Sequence, residues 1–420
     1  MDTITVKNVV DVLIIGLGPA GIMATHRLHE CGINVLAVDR GKPYTSRESL
    51  IPYDVANGFG GAGLFSDGKL SFFPAASNLW ANFEEVNLKK SYNYVQSLLT
   101  PLGYRFPKWQ NRWTKHKANK QPVKKVKRYQ TTYFSERARM LFVKNMYKRI
   151  QSVTMLNTEV VRINKRDGMY HVFIQQGIGD VSSVVTRRII LATGKAGNVI
   201  FDDFEGAKFQ FTVRFEGGIR VETNSLNFKP FDLKQIDYKY IEQIGNLEIR
   251  TFCSCKDGNV LQSNYIRNIS YNGSITPFPT GRSNIGLTIR SDRQDCEIAQ
   301  ELISCVKRYD SFVFDYGENY DNKQKFWIGI EFDKLLSEKL SIVLKSYKTK
   351  YKTKIYGPEI EYFGKYPIFD WSQLKAENEN VWIIGDLSCK YRGIVAALIS
   401  GVYAANEIVG DMAGVKHDYV

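Results

Sequence analysis

A strand, a glycine-rich turn and a helix open the chain, and this arrangement constrains the fold more than any other feature. Residues 9–15 form an apolar run, interrupted only by Asp11, that is typical of a buried strand. The turn GLGPAG follows at 16–21, and residues 22–31 have a helical pattern. A second apolar run at 35–38 ends at Asp39. Strand, turn, helix and acidic residue in this order predict a βαβ unit that binds a dinucleotide.

Each part of this unit has a physical task beside a dinucleotide. Gly16 permits the tight turn, Gly18 lets the backbone approach the pyrophosphate, and Gly21 lets the helix pack closely on the strand. The helix N-terminus supplies N–H donors and a positive dipole for the phosphates. Asp39 can accept a hydrogen bond from a ribose hydroxyl. We also expect the cofactor to be contacted by Pro19, Ala20, Arg40 and Val160.

Composition indicates a globular protein with room for two domains. The chain has 420 residues, of which 44% are hydrophobic and 24% charged. We find no apolar run of the ~18 residues that a membrane span needs. The first strand begins almost at once, which leaves no room for a signal peptide, and we expect a cytoplasmic protein. Six cysteines in this length do not indicate a disulfide framework.

The chain is basic, with a formal net charge of +14. The resulting positive electrostatic field favours an anionic substrate, an anionic surface or nucleic acid. A composition that is simply rich in Lys, Asn and Tyr is the favoured explanation of the charge. The segment 108–128 interleaves tryptophans with cations. It could bind single-stranded nucleic acid or an acidic carrier, or form a solvated arm. Nucleic acid is the less favoured partner.

Later periodic segments indicate how the chain is divided. Helical patterns occur at 83–99, 136–150, 296–308 and 393–409, and strand patterns at 154–163, 171–175, 188–193 and 381–384. The fold class we predict is α/β, a Rossmann-like dinucleotide-binding domain with an inserted, mostly β domain. The predicted divisions are a discontinuous dinucleotide-binding domain at 1–75, 150–200 and 375–420, an aromatic and basic insertion at 76–149, and a cap or substrate domain at 201–374.

Motifs in the second half resemble those of a large class of flavoproteins. Residues 190–194 (ILATG) run from a strand into a small-residue turn, Gly385-Asp386 ends another strand, and Gly393-Ile394 opens the last helix. With the first turn, these motifs resemble the two-dinucleotide-binding-domain flavoproteins. That resemblance implies FAD, with Asp386 on ribityl hydroxyls and the last helix facing the flavin pyrimidine ring. The contacts it implies are Ala192, Thr193, Gly194, Gly385, Asp386, Gly393 and Ile394.

A narrower resemblance covers most of the chain. Residues 59–70 (FGGAGLFSDGKL) resemble the GGAGxFSDGKL signature of a family of bacterial FAD-dependent dehydrogenases. Segments 214–222 and 252–258 and the run 392–394 also resemble that family. Lys256-Asp257 stands where the family has Pro-Gly, and residues 195–197 (KAG) stand where it usually has His-Ser-Ala. These departures leave the substrate open.

The signature segment can also be interpreted physically. Its glycines permit positive φ angles and close backbone approach, so the loop could lie against the pyrophosphate and the flavin edge. Ser66 could form a hydrogen bond near the reactive flavin nitrogen. Asp67 and Lys69 could face the substrate, or could simply pair with each other. The glycines concerned are Gly60, Gly61 and Gly63.

Cys253 and Cys255 would share one face if their segment is a strand, because side chains alternate with a period of two. They could line the active site or form a redox pair, but two buried and inert thiols are the simpler interpretation. A zinc site needs more than two ligands, and the sequence places no further His or Cys residues close to these two cysteines, so we expect no metal. The candidate catalytic residues are Lys69, Asp67, Cys253 and Cys255.

The leading prediction is an FAD-dependent dehydrogenase that passes hydride between the flavin and a small organic substrate. The substrate could be anionic, because the protein carries a positive net charge. One alternative is a reductase that saturates a double bond with electrons from an external donor. Another is an RNA-binding or RNA-modifying flavoprotein, and a third is a structural or sensory flavin. We find no second glycine fingerprint for NAD(P)H, although NAD(P)H or another donor could still bind transiently. Arg214, Arg220 and Arg282 could clamp a carboxylate or phosphate, or could be structural.

Overall fold

The computed structural model describes residues 6–110, 124–195, 197–224, 237–265, 269–275, 278–292, 300, 312–316 and 353–414. The helices in these ranges are α1 (Pro19–Glu30), α2 (Pro52–Ala56), α3 (Ser77–Asn82), α4 (Glu85–Leu99), α5 (Glu136–Ile150) and α6 (Ile394–Met412). The helix predicted at 296–308 and most of the basic segment 108–128 lie outside the described residues.

Twenty-one strands are described. In chain order they are β1 (Val6–Ile15), β2 (Val35–Val38), β3 (Lys69–Ser71), β4 (Lys124–Arg128), β5 (Thr131–Tyr133), β6 (Thr154–Met155), β7 (Thr158–Arg166), β8 (Met169–Gln176), β9 (Val181–Leu191), β10 (Phe204–Glu205), β11 (Phe211–Thr223), β12 (Tyr238–Ile244), β13 (Leu247–Lys256), β14 (Gly258–Asn264), β15 (Ile269–Ile275), β16 (Ser283–Ser291), β17 (Phe312–Tyr316), β18 (Thr353–Pro367), β19 (Phe369–Asp370), β20 (Lys375–Ala376) and β21 (Val381–Ile383).

The first sheet contains the predicted dinucleotide-binding unit. Its main path runs β10-β7-β8-β9-β1-β2-β6, and β21 pairs with β9 beside it. The pairs β1–β2, β1–β9, β2–β6 and β9–β21 are parallel, whereas β7, β8 and β9 pair antiparallel. Parallel strands are buried on both faces, which explains the apolar run of β2 and the apolar second half of β1, from Val12 to Ile15. The turns after β1, β9 and β21 therefore meet at one edge of this sheet.

The second sheet is antiparallel throughout and forms the cap sheet. Its order is β17-β18-β11-β16-β13-β12-β4. All but one of its strands come from the region predicted as a mostly β cap. The exception, β4, comes from the aromatic and basic insertion and pairs with β12 at the edge. This α/β architecture, a Rossmann-like domain with additional β sheets, confirms the predicted fold class.

Helix α6 packs at the centre of the first domain. It contacts α1 and α4, while α5 contacts α1. By length and composition α6 is apolar enough to cross a membrane, with 19 residues and a mean hydropathy of 1.3 over the most apolar window. That window is 67% buried inside the protein, as expected of a core helix, so the feature is weak evidence for a span.

Candidate functional site

A cavity of about 410 Å³ is lined by residues of both sheets. This volume lies in the range of ordinary ligand and cofactor sites. The residues from the sequence-based site that line it are Gly16, Gly18, Pro19, Ala20, Asp39, Arg40, Gly61, Gly63, Ser66, Asp67, Lys69, Val160, Ala192, Thr193, Gly194, Cys253, Gly385, Asp386, Gly393 and Ile394. Gly21, Gly60 and Cys255 are not part of the wall.

The glycines of the first turn are required by close backbone contacts. A Cβ on Gly16 would lie 2.6 Å from the carbonyl oxygen of Ala192, and one on Gly21 would lie 1.8 Å from the carbonyl oxygen of Gly16. Gly21 thus packs the helix on the turn from outside the cavity, as its predicted role requires. Gly18 faces Gly61, where an added Cβ would lie 2.8 Å from the Gly18 Cα. The two glycine segments therefore meet backbone to backbone at the cavity wall.

Asp39 closes the first turn as well as facing the cavity. Its Oδ2 accepts a hydrogen bond from the Leu17 N–H at 2.7 Å, and its Oδ1 accepts one from the Gly41 N–H at 2.8 Å. Each carboxylate oxygen can accept a further bond. Asp39 can therefore hold the turn and still accept from a ribose hydroxyl.

Two helices direct N-termini without side-chain caps into the cavity. Gly18 precedes α1 and Gly393 precedes α6; neither helix start has a side-chain cap or an acidic residue in its first turn. By contrast, α4 is capped by the Glu84 carboxylate and α5 by the Ser135 hydroxyl. Free N–H groups and the positive end of a helix dipole attract an anion or a developing negative charge. A pyrophosphate and an electron-accepting ring fit these two positions.

Two buried arginines that the sequence did not indicate hold the glycine loop. Arg47 donates to the carbonyl oxygens of Phe59, Asp54 and Gly61 at 2.8, 2.9 and 2.9 Å. Arg139 donates to the carbonyl oxygens of Leu64 and Ser66, both at 3.0 Å. Burial lowers the pKa of Arg47 to about 10, which leaves it charged at neutral pH. No local sequence pattern identifies a long-range side-chain bond to a loop carbonyl, so we missed both.

The candidate catalytic residues Asp67 and Lys69 meet in a buried charge cluster. Lys69 Nζ lies 2.9 Å from Asp67 Oδ2 and 3.8 Å from an oxygen of Asp237, and it also donates to the carbonyl oxygen of Ser254. Burial alone would lower the pKa of Lys69, but the Asp237 and Asp67 carboxylates raise it well above its usual value. Tyr129 donates to Asp237 at 2.8 Å. The sequence analysis gave pairing with each other and exposure to the substrate as alternatives for Asp67 and Lys69. In the structure the two residues pair and also line the cavity.

The two cysteines differ in position. Cys253 lines the cavity and donates from Sγ to Asp67 Oδ2 at 3.2 Å, whereas Cys255 is buried away from the wall. A register shift between Phe252 and Cys255, together with the positive φ of 47° at Cys253, interrupts the strand alternation on which the shared-face prediction depended. Burial and Asp67 raise the pKa of Cys253 to about 11, so it is a protonated donor at neutral pH.

A second ionic network lines the cavity near α6. Lys195 Nζ lies 2.6 Å from Glu361 Oε1, and an Arg392 nitrogen lies 3.2 Å from the other Glu361 oxygen. Arg392 also contacts Glu216 at 3.0 Å. Asp386 accepts a hydrogen bond from the Tyr362 hydroxyl. The available sequence signal for this network was Glu361, an acidic residue between Ile360 and Tyr362 in a strand pattern, and the sequence analysis did not identify it.

The three arginines considered as an anion clamp do not line the cavity. Arg214 pairs with Asp292 and Glu216, at 3.0 and 3.4 Å. Arg220 is fully buried and donates to the Asn284 side chain at 2.8 Å. Arg282 lies 3.5 Å from Glu222. Their partners are groups of the protein itself, which supports the structural interpretation.

Comparison with known proteins identifies the cofactor. Residues 9–48 match the model of a family described as an FAD binding domain. FAD is the cofactor of this chain. The match covers the βαβ unit and Asp39, and the opposed glycines with the two uncapped helix N-termini fit the pyrophosphate and the flavin. FAD-dependent redox chemistry is the corresponding class of activity.

Solved structures of flavoproteins are similar to this chain at low sequence identity. A flavoprotein/dehydrogenase from Cytophaga hutchinsonii is 13% identical, with 97% of this chain and 79% of that chain covered and a TM-score of 0.41. A geranylgeranyl bacteriochlorophyll reductase-like protein from Thermoplasma acidophilum is 13% identical over 97% and 80% of the two chains, with a TM-score of 0.40.

The polycyclic ketone monooxygenase of Thermothelomyces thermophila is 15% identical, covering 47% of this chain and 25% of that one, with a TM-score of 0.25. No curated protein matches the chain. The names of these three proteins describe different reactions.

Proposed function

We propose that the protein is an FAD-dependent dehydrogenase that oxidises a small organic substrate in the cavity between its two sheets. The observation that carries this proposal is the continuity of one cavity from the uncapped helix N-termini to the Asp67, Lys69 and Cys253 cluster. When bound, FAD supplies the hydride-accepting chemistry that the side chains lack. The remaining tasks fall to the chain's own residues: to bind and orient the substrate and to move its proton.

Asp67 is the residue we assign to accept the substrate proton. Its Oδ2 is held by Lys69 Nζ and by the Cys253 thiol, at 2.9 and 3.2 Å, and its Oδ1 by the Lys69 backbone N–H at 3.3 Å. Such contacts orient the carboxylate toward the cavity before a substrate arrives. A positioned general base of this kind contributes about 10²–10⁴-fold to a rate.

The reverse direction, reduction of a double bond with an external electron donor, is the second candidate. One observation favours it: Cys253, Lys69 and Tyr129 all line the cavity with raised pKa values and are protonated at neutral pH. Burial is the main cause for Cys253 and Tyr129, and the two aspartates are the cause for Lys69. A reduction needs such a proton donor. In that case NADH or NADPH would be the electron source.

For either direction of the reaction we expect a cytoplasmic protein. We expect no nucleic acid partner.

Anaerobic titration of the FAD-loaded protein tests the proposal. Small alcohols, amines and hydroxy acids should bleach the visible flavin band if the protein is a dehydrogenase, and one class should do so at least tenfold faster than the rest. Bleaching by NADH or NADPH alone, followed by reoxidation with an alkene, would assign the reductase instead. If none of these compounds changes the flavin, the protein is not an oxidoreductase of either kind.

Asp67→Asn tests the assigned base. We expect flavin reduction by the substrate to slow by about 10²–10⁴-fold with FAD still bound, because the amide cannot accept the proton. Asp180→Asn is the matched control, since Asp180 is exposed in the turn between β8 and β9. A rate for Asp67→Asn within threefold of the control would remove Asp67 from the chemistry.

A further inference from the structure

Among the described residues, one cationic side chain on the cavity wall forms neither a hydrogen bond nor an ion pair. Five cationic side chains line it among the described residues. Four have partners: Arg40 with Asn57, Lys69 with Asp67, Lys195 with Glu361 and Arg392 with Glu216. For the fifth, Lys239, the described residues supply neither a hydrogen bond nor an ion pair. Lys239 is half-buried, and an ammonium group partly withdrawn from water is costly without a partner, so the described part of the site offers a place for an anion.

The surroundings of Lys239 are themselves mostly cationic. Lys239 lies near the start of β12, opposite Lys127 of β4, and Arg250 lies on the neighbouring strand β13. Burial first, and then Arg250, lower its pKa well below the usual value; Lys127 and Arg392 act in the same direction, and only Asp237 opposes them. An anion placed here would be attracted by four cationic groups and would raise the pKa of Lys239 back toward its usual value.

The same side chain lies on the cavity wall with the proposed catalytic cluster. Asp237, two residues before Lys239, is the group 3.8 Å from Lys69 Nζ, and both lysines line the cavity together with Asp67 and Cys253. A small molecule could therefore pair with Lys239 at one end and present a carbon to Asp67 at the other. Arg250 and Arg392 already pair with Glu248 and Glu216, so Lys239 is left to match a single negative charge. This indicates a carboxylate in preference to a phosphate dianion.

We propose that Lys239 binds the carboxylate of the substrate, so that the substrate is a small carboxylic acid. This inference rests on the proposed function, because it concerns the substrate of the same cavity. It differs from the sequence-based candidates for anion binding, three arginines that could equally be structural and that are absent from the wall.

Binding of acetate and of its uncharged analogue acetamide to the FAD-loaded protein tests the assignment. Both ligands are followed by NMR of the ligand signals, at pH values from 6 to 9, on the wild type and three variants. Lys239→Met removes the charge and keeps the aliphatic stem, and Lys239→Arg keeps the charge. Lys256→Met is the matched control, because Lys256 is exposed on β13 outside the cavity wall. Flavin absorbance of each sample shows whether FAD is bound.

We expect the wild type to bind acetate at least about tenfold more tightly than acetamide, and Lys239→Met to lose that preference. Lys239→Arg and Lys256→Met should retain it. Acetate affinity of the wild type should weaken as pH rises through the pKa of Lys239, whereas Lys239→Met should show no such dependence. Equal binding of the two ligands by the wild type, or an unchanged preference in Lys239→Met, would overturn the assignment.

A different result would assign Lys239 to the cofactor. If Lys239→Met shifts the flavin spectrum and reduction potential while acetate selectivity is unchanged, Lys239 pairs with the flavin and the carboxylate assignment is wrong. In either failing case a flavin that still responds to a substrate keeps the proposed dehydrogenase. A protein that holds FAD, selects acetate through Lys239 and reacts with no substrate keeps the anion site and rejects the dehydrogenase.

Discussion

Replacement of Gly61 by alanine tests the contact between the two glycine segments. Gly61 has a φ of +59°, and an added Cβ would lie 2.8 Å from the Gly18 Cα and 3.2 Å from Pro19 Cδ. Carbon atoms prefer separations of about 3.5–4.0 Å, so the segments must separate by about 1 Å. The left-handed backbone costs an alanine a further ~1–2 kcal/mol.

A matched variant separates the contact from the backbone strain. Gly177 has a φ of +57°, nearly that of Gly61, but an added Cβ there meets no atom within 4 Å. Gly177→Ala should therefore lose ~1–2 kcal/mol of unfolding free energy and bind FAD normally. Gly61→Ala should lose at least as much stability and also bind FAD about tenfold or more weakly. The displaced backbone at Gly18 would hold the start of helix α1 away from the pyrophosphate, at a cost of about one charge-assisted hydrogen bond.

Urea unfolding and fluorescence titration with FAD measure the two quantities. The reasoning predicts a selective loss of FAD affinity in Gly61→Ala. It would be refuted if both variants bound FAD equally well, since the glycine contact would then have no part in holding the cofactor. If Gly61→Ala and Gly177→Ala both bound FAD more weakly than the wild type, and by the same factor, the loss of affinity would come from backbone strain and not from the contact with Gly18.

Two other predictions concern buried ionisable side chains. Arg47→Met should lower the free energy of unfolding by about 3 kcal/mol or more and weaken FAD binding, because several loop carbonyls lose their hydrogen-bond donor. The control variant Arg187→Met, at an exposed position, should do neither. Equal Tm values for the two variants would contradict this prediction. Burial, with Glu361 nearby, raises the pKa of Glu359 above its usual 4.5, so the folded state keeps a proton that the unfolded state loses. Stability measured by urea unfolding should consequently fall as pH rises above 4.5, and Glu359→Gln should show a flatter profile; a wild-type stability that rises over this range would contradict the sign.

Local patterns predicted the first domain well because its elements follow from short-range rules. Strand β2 begins and ends at the predicted residues, and α5 spans the predicted 136–150. The start of β9 lies seven residues before the predicted start at residue 188, because pairing with β8 extends a strand whose first half is not uniformly apolar. Strand pairing is a long-range property, and a single sequence does not contain it.

The residues of the candidate site likewise fall into those that local sequence predicts and those that it does not. Glycine positions such as Gly16 and Gly18 are predictable because only glycine tolerates the backbone approach there. The arginines that hold the loop and the carboxylate of Asp237 come from distant parts of the chain, so no spacing relates them to the motif. The bulge at Cys253 was invisible for a similar reason: a local φ of 47° reverses the alternation that a strand pattern implies.

Equilibrium binding of FAD to the purified and reconstituted protein tests the central claim most directly. The account predicts about one FAD per chain, retained through gel filtration and not displaced by excess NAD⁺, because two glycine segments and two uncapped helix N-termini enclose one dinucleotide. A folded protein that fails to take up FAD, or that exchanges it readily for NAD⁺, would contradict the account.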